Sequence, residues 1–353
     1  MAENSKIEWL NGGSTWNFMD AVNIETGKVG FFCEKIAPEC KLCYAEKMNV
    51  NTYFGNGIRY AVDQRGKVRI TLNERKLQKP LHWRKPRLIF PCSMTDLFGA
   101  WVPDEWIDAA YDVMEKASQH TFLVLTKRPV RRMAYLRKRY ANRPPAPNIW
   151  EGTSCGLQET ADEFIPLLLQ TPAAVRWISA EPLLGAVRLD DLPIPQTVID
   201  ASPVVERGGE FRFNALTTND DEHYFNIHPK LDWVVAGGES GPNARPMNPD
   251  WARSLRDQCK AAGVPFFFKQ WGEWAPGECA DTLPTRTEEV ATYFADTWNF
   301  STLTPKQSEE THRDDQPDVY RLGKKAAGRK LDGVEHNEYP LSAGAAAGGE
   351  SRQ

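Results

Sequence analysis

The chain of 353 residues suits one large domain with insertions, or two domains, and its 41% hydrophobic and 25% charged residues exclude wholesale disorder. With 43 basic against 47 acidic residues, net −4, it has no overall pull toward nucleic acid or anionic lipid. It carries neither an apolar run long enough to span a membrane nor a signal-like stretch in Met1–Lys6, so a cytoplasmic protein without a membrane partner is expected.

Short apolar runs rich in β-branched and aromatic side chains predict strands at Arg87–Cys92, Thr121–Thr126, Asn148–Gly152, Val175–Ser179, Leu231–Ala236 and Val264–Lys269. Amphipathic spacing predicts helices between them. Asp104–Gln119 places Trp106, Ile107, Ala110, Val113, Met114 and Ala117 on one face, behind Pro103. Thr160–Gln170 is a second, with Ile165, Leu168 and Leu169 inside. A third reaches from a capping Asp250 to Ala262, stopped by Gly263. Alternation at this rhythm predicts an α/β fold with a mainly parallel sheet, which with one further strand near the N-terminus makes a partial or complete (β/α) barrel over 1–275. An open doubly wound sheet has the same period. Residues 190–229 break the rhythm as an insertion, 276–340 read as a C-terminal appendage, and 341–353 as a disordered tail.

Seven cysteines, an odd number, do not suggest a disulfide scaffold. Their spacing says more. Cys33, Cys40 and Cys43 form C-x6-C-x2-C within eleven residues, a grouping of soft donors suited to zinc or to an iron–sulfur cluster. Structural zinc wants four protein ligands, and only distant Cys92 or Cys155 could complete such a set through folding. Three thiolates alone suit a [4Fe–4S] cluster with one iron left open, while three unliganded thiols are the plainest alternative. The six scattered histidines form no metalloenzyme spacing, and no G-x-S-x-G of a serine hydrolase occurs.

The motif sits among segments that together resemble a phage- and bacterium-borne three-cysteine family similar to radical S-adenosylmethionine (SAM) enzymes. They are Ser5–Trp9, Thr15–Asn17, Cys33–Glu46, Ser93–Phe98, Leu125–Pro129, Glu181–Gly185, Gly237–Pro242, Phe268–Gly272 and Lys324–Arg329, and the resemblance extends over nearly all of 5–340. The x6 spacing departs from the usual x3 of that superfamily, Leu42 stands where an aromatic residue is usual, and Phe18–Phe32 is inserted with a turn-like Asn23–Gly27. The resemblance implies a radical SAM-type barrel, a [4Fe–4S] cluster on Cys33, Cys40 and Cys43, S-adenosyl-L-methionine on the open iron, and an electron donor. It also implies cofactor contacts at strand ends: Ser93 and Asp96, Thr153 and Ser154, Glu181, and the glycine-rich Gly237, Gly238 and Glu239. Helix or loop capping would explain the first four as simply, and a buried ion pair would explain Glu181.

Two basic runs, Lys67–Arg87 and Lys127–Arg143, suggest phosphate contacts, with Lys127, Arg128, Arg131, Arg132 and the separate Arg245 as candidates. A solvated helix face is the competing explanation for each run. The resemblance adds a DNA or nucleotide substrate, with some phage relatives serving thymidine hypermodification by rearranging an amino-acid adduct on the base; host cytoplasm would then be the location. Radical chemistry on a small metabolite or damaged DNA would leave the same marks. A non-catalytic zinc- or cluster-bearing nucleic-acid-binding protein is the alternative class.

Overall fold

The computed structural model describes residues 4–194, 212–218, 229–279, 285–310 and 318–340. In chain order come strands β1 (Ser14–Trp16), β2 (Met19–Asn23) and β3 (Val29–Gly30), helix α1 (Tyr44–Val50), β4 (Val68–Leu72) and α2 (Glu74–Leu77). Next are β5 (Leu88–Pro91), α3 (Asp104–Lys116), β6 (Thr121–Thr126), α4 (Pro129–Arg139), β7 (Ile149–Ser154), α5 (Gln158–Leu169) and β8 (Val175–Ala180). After the short β9 (Leu192–Pro193) and β10 (Arg212–Phe213) follow β11 (Trp233–Gly237), α6 (Pro249–Ala262) and β12 (Phe266–Gln270). The chain finishes with β13 (Ala275–Pro276), β14 (Glu288–Phe294), β15 (Thr297–Leu303), α7 (Pro305–Glu310), β16 (Asp318–Tyr320) and α8 (Lys324–Ala327).

Seven strands form one parallel sheet in the order β1-β5-β6-β7-β8-β11-β12, curled into a half-barrel. The described strands leave it open between β12 and β1, so the barrel is partial. Each strand alternates between two buried faces, as a helix-covered parallel sheet must. Outward residues such as Ile89, Phe122, Val124 and Ile149 pack with Ile107, Ala110 and Met114 of α3. Ile178, Val234, Ala236 and Phe268 pack with α5 and α6. The cap of helix α6 lies two residues before the predicted Asp250: Asn248 Oδ1 accepts from Asp250 N, with Pro249 in the first turn; Gly263 ends the helix at φ 63°. The concave side is filled at its floor by Trp9, Trp150, Trp177, Trp233 and Phe267. Gly152 belongs here for a steric reason, because a Cβ would stand 2.4 Å from the Trp177 indole.

The inserted Phe18–Phe32 forms the hairpin β2–β3, and β4 joins it as a three-stranded antiparallel sheet. Asn23 Oδ1 accepts from Glu25 N and Thr26 N, and Gly27 takes φ 70°, closing the turn. Of the expected insertion, 195–211 and 219–228 lie outside the described residues, as does the tail 341–353. The appendage contains a four-stranded antiparallel sheet, β13-β16-β14-β15. Its last stretch returns to the half-barrel: Phe268 N donates to His336 O, Glu338 N to Phe266 O, and Tyr339 hydroxyl to Trp9 O.

Between α3, α4 and β7 lies a buried polar group. Tyr111 donates to Glu151 Oε1 at 2.6 Å, and Arg132, wholly buried, donates to Gly152 O. Burial pushes the Glu151 carboxyl up to about 7, against the pull of Arg132 and Tyr111. The folded chain therefore holds a proton that the unfolded chain releases near pH 4.5. This contribution to stability is complete below that pH and is lost as pH rises toward 7. Glu151→Gln, neutral throughout, should flatten the fall in Tm across this window; an unaltered slope would refute the assignment.

Candidate active site

A cavity of about 430 Å³ opens at the C-terminal ends of the parallel strands, a size typical of small-ligand pockets. Inward alternation puts Ser154 of β7, Ser179 of β8, Glu181 just beyond it, and Lys269 of β12 on its wall. Cys33, Cys40 and Cys43 also line it.

The cysteine-bearing loop is laid across this mouth and fastened at four strand ends. After β5, the Thr95 hydroxyl donates to Phe32 O. After β6, Arg128 pairs with Glu34 at 2.8 Å. After β7, Gly156 N and Thr160 Oγ1 donate to Glu39 Oε1 at 2.7 and 2.6 Å. After β11, Arg245 donates to Pro38 O at 3.1 Å while gripping Glu239. Glu39 is buried, and its Oε2 has no hydrogen-bond partner among the described residues. Nothing in the local spacing marked Glu39, since its partners lie more than a hundred residues away.

Burial drives the Cys33 thiol well above its ordinary pKa, and Asp96, Cys43 and Cys40 add to the effect. Burial also raises Cys43, although Lys127 pulls the other way. Lys127 is itself opposed by burial, yet Cys40, Cys43, Glu39 and Asp96 hold its pKa above the usual lysine range. An electropositive centre would be needed to draw protons off these thiols. Among the described residues no three His, Cys, Asp or Glu side chains are grouped to hold a metal ion. Thiolates on one zinc would stand about 3.7 Å apart, given Zn–S bonds near 2.3 Å. A cubane spreads them wider, because each binds a different iron. Three cavity-facing thiols with the half-buried Lys127 beside them are a donor set of the kind that binds either centre.

The other predicted residues divide. Asp96 lines the cavity, but its carboxylate accepts from Phe98 N, Thr126 Oγ1 and Lys127 N, tying the β5 loop to β6. Ser93 lines it too, with Oγ accepting from Asn17 and its carbonyl from Tyr44 hydroxyl. Glu181 accepts from Ser179 at 3.1 Å and pairs with Lys269 at 3.0 Å. Gly238 and Glu239 reach the cavity; a Cβ on Gly238 would collide with Trp271 O. Gly237 backs onto Glu181 and is not a cavity wall. Thr153 is buried, its hydroxyl on Thr126 O, and faces away from the cavity.

The basic candidates are corrected more sharply. Arg132 is buried under α4, out of reach of any phosphate. Arg131 is committed to Gly99 O, Val102 O and Asp104, and Arg245 to Glu239. Arg139 and Arg143 are neutralised by Asp108, Asp112 and Glu115 of α3. Charge runs show in sequence; their distant partners do not.

Among the described residues no helix is long and apolar enough to cross a membrane. No curated protein and no solved structure matches the chain. Residues 4–340 match the model of the family described as "Protein of unknown function (DUF5131)". The chain belongs to that family.

Proposed function

We propose that the chain is a radical SAM enzyme acting on a nucleobase, such as an amino-acid-adducted thymidine of phage DNA, by radical rearrangement. One observation carries this reading: Cys33, Cys40 and Cys43 share the wall of a cavity at the strand-end mouth of a parallel half-barrel. When bound, a [4Fe–4S] cluster and S-adenosyl-L-methionine would supply a 5′-deoxyadenosyl radical able to abstract a substrate hydrogen. The three cysteines would hold the cluster, and the Lys127 ammonium beside them would offset its negative charge. In the same cavity, the Glu181–Lys269 pair with Ser179, Ser154 and Gln270 offers donors and acceptors for polar groups of the sulfonium cofactor or substrate. The indole-packed floor excludes water from below, which protects a reactive species.

The test is anaerobic purification. The protein should be brown, carry about four irons per chain in a cubane ligated by cysteine, and cleave S-adenosylmethionine under strong reductant. Colourless protein with one tightly held zinc would overturn the reading in favour of a binding module.

A further inference from the structure

Resting on the nucleobase-directed function just proposed, we infer that the surface running from the cavity mouth along α1 to the Tyr53–Phe54 loop is a stacking platform for single-stranded nucleic acid. Helix α1 begins at Tyr44, which lines the cavity yet is 52% exposed, and Met48 one turn on is 50% exposed. Beyond the helix, Tyr53 is 87% and Phe54 66% exposed, with ring centroids 4.9 Å apart, edge to face. Two adjacent aromatic rings held in water contribute little to the fold.

The backbone beneath them is nonetheless firmly held. Phe54 N and Gly55 N donate to Asn51 O, and Gly57 N to Asn49 O. The buried side chains of Asn49 and Asn56 bond each other at 2.8 Å and reach Phe31 N, Ile58 O and Ala21 O. A braced loop that presents bare rings suits bases, which stack on aromatic faces whatever their sequence.

Charge matches the same occupant. Lys28 donates to Thr52 O at 3.2 Å, which places its ammonium beside Tyr53. Arg59 is exposed just after Ile58, whose carbonyl accepts from Asn49. On the adjoining small sheet, Lys67 and Arg69 are exposed; Lys67 O accepts from Ile24 N, and Arg69 lies opposite Val22. Exposed Glu25 and Asp63 only partly offset these four cations. The 127–143 run is largely neutralised by α3, so the better phosphate track is this one. A strand whose target base enters the cavity must continue outside it, and this platform starts at the rim.

The experiment titrates the reconstituted protein into a short fluorescein-labelled oligothymidine and reads anisotropy over a salt series. Tyr53→Ala/Phe54→Ala should weaken binding about tenfold or more, the size expected for losing one or two stacked bases. Arg59→Ala/Arg69→Ala should flatten the slope of log affinity against log salt by about 1. Iron content and substrate-free cleavage of S-adenosylmethionine should not change in either variant. Failure of the wild type to bind, or unchanged binding by the aromatic double variant, would overturn the platform. So would ring-dependent capture of an acidic redox protein in place of the oligonucleotide. Protein that takes up no iron on reconstitution yet still binds through these rings would sink the radical chemistry and leave the platform standing.

Discussion

Replacing Cys33, Cys40 or Cys43 singly with Ala is expected to take iron from about four per chain to almost none, with loss of S-adenosylmethionine cleavage. On the proposed reading each change would remove one of the three cluster ligands, leaving too few thiolates to hold it. Cys92 supplies the decisive control. It lines the same cavity, so it is the one further thiol placed there to complete a four-thiolate zinc site. If Cys92→Ala keeps its iron and brown colour, three ligands suffice. If it loses metal as completely as the other three, the four-thiolate site stands and the radical reading falls. Cys259 is buried between α6 and the sheet, and Cys279 packs at the edge of that core; Ala at either should leave iron uptake intact.

Trp177→Ala should lower unfolding stability by about 3–5 kcal/mol, measured as a shift in urea midpoint at unchanged m-value. For a domain of ordinary stability, about 5–15 kcal/mol, that is a large share of the total. Trp177 lies wholly buried on the concave floor, 5.4 Å from both Trp9 and Trp233 between ring centroids, with Gly152 beneath. Its indole N–H has no hydrogen-bond partner among the described residues, so the loss comes from packing. Trp177→Phe should accordingly recover most of the stability. A Phe variant as weak as the Ala variant would show that the floor does not rest on ring packing.

The strand runs were legible because parallel strands buried on both faces must be continuously apolar. The predicted Thr121–Thr126 matches β6, and the other five differ by one or two residues at an end. Closure was not legible, since period is a property of one strand and curl is a property of seven. The appendage sheet was missed because β15 is largely exposed and its apolar alternation is limited to Trp298 and Phe300. The three cysteines were visible as candidates because their grouping is local in sequence. Glu39 was not, nor the internal commitments of Arg131, Arg132 and Arg245, because a carboxylate or guanidinium advertises charge and never its partner.

Trp9 and Tyr339 meet although 330 positions separate them. The tryptophan floor is thus held together by segments more than three hundred residues apart. During synthesis the Trp9–Tyr339 contact cannot form until residue 339 has been made, and a long-range contact of this kind closes slowly. Completion of the packed floor beneath the cavity is therefore a late event in folding.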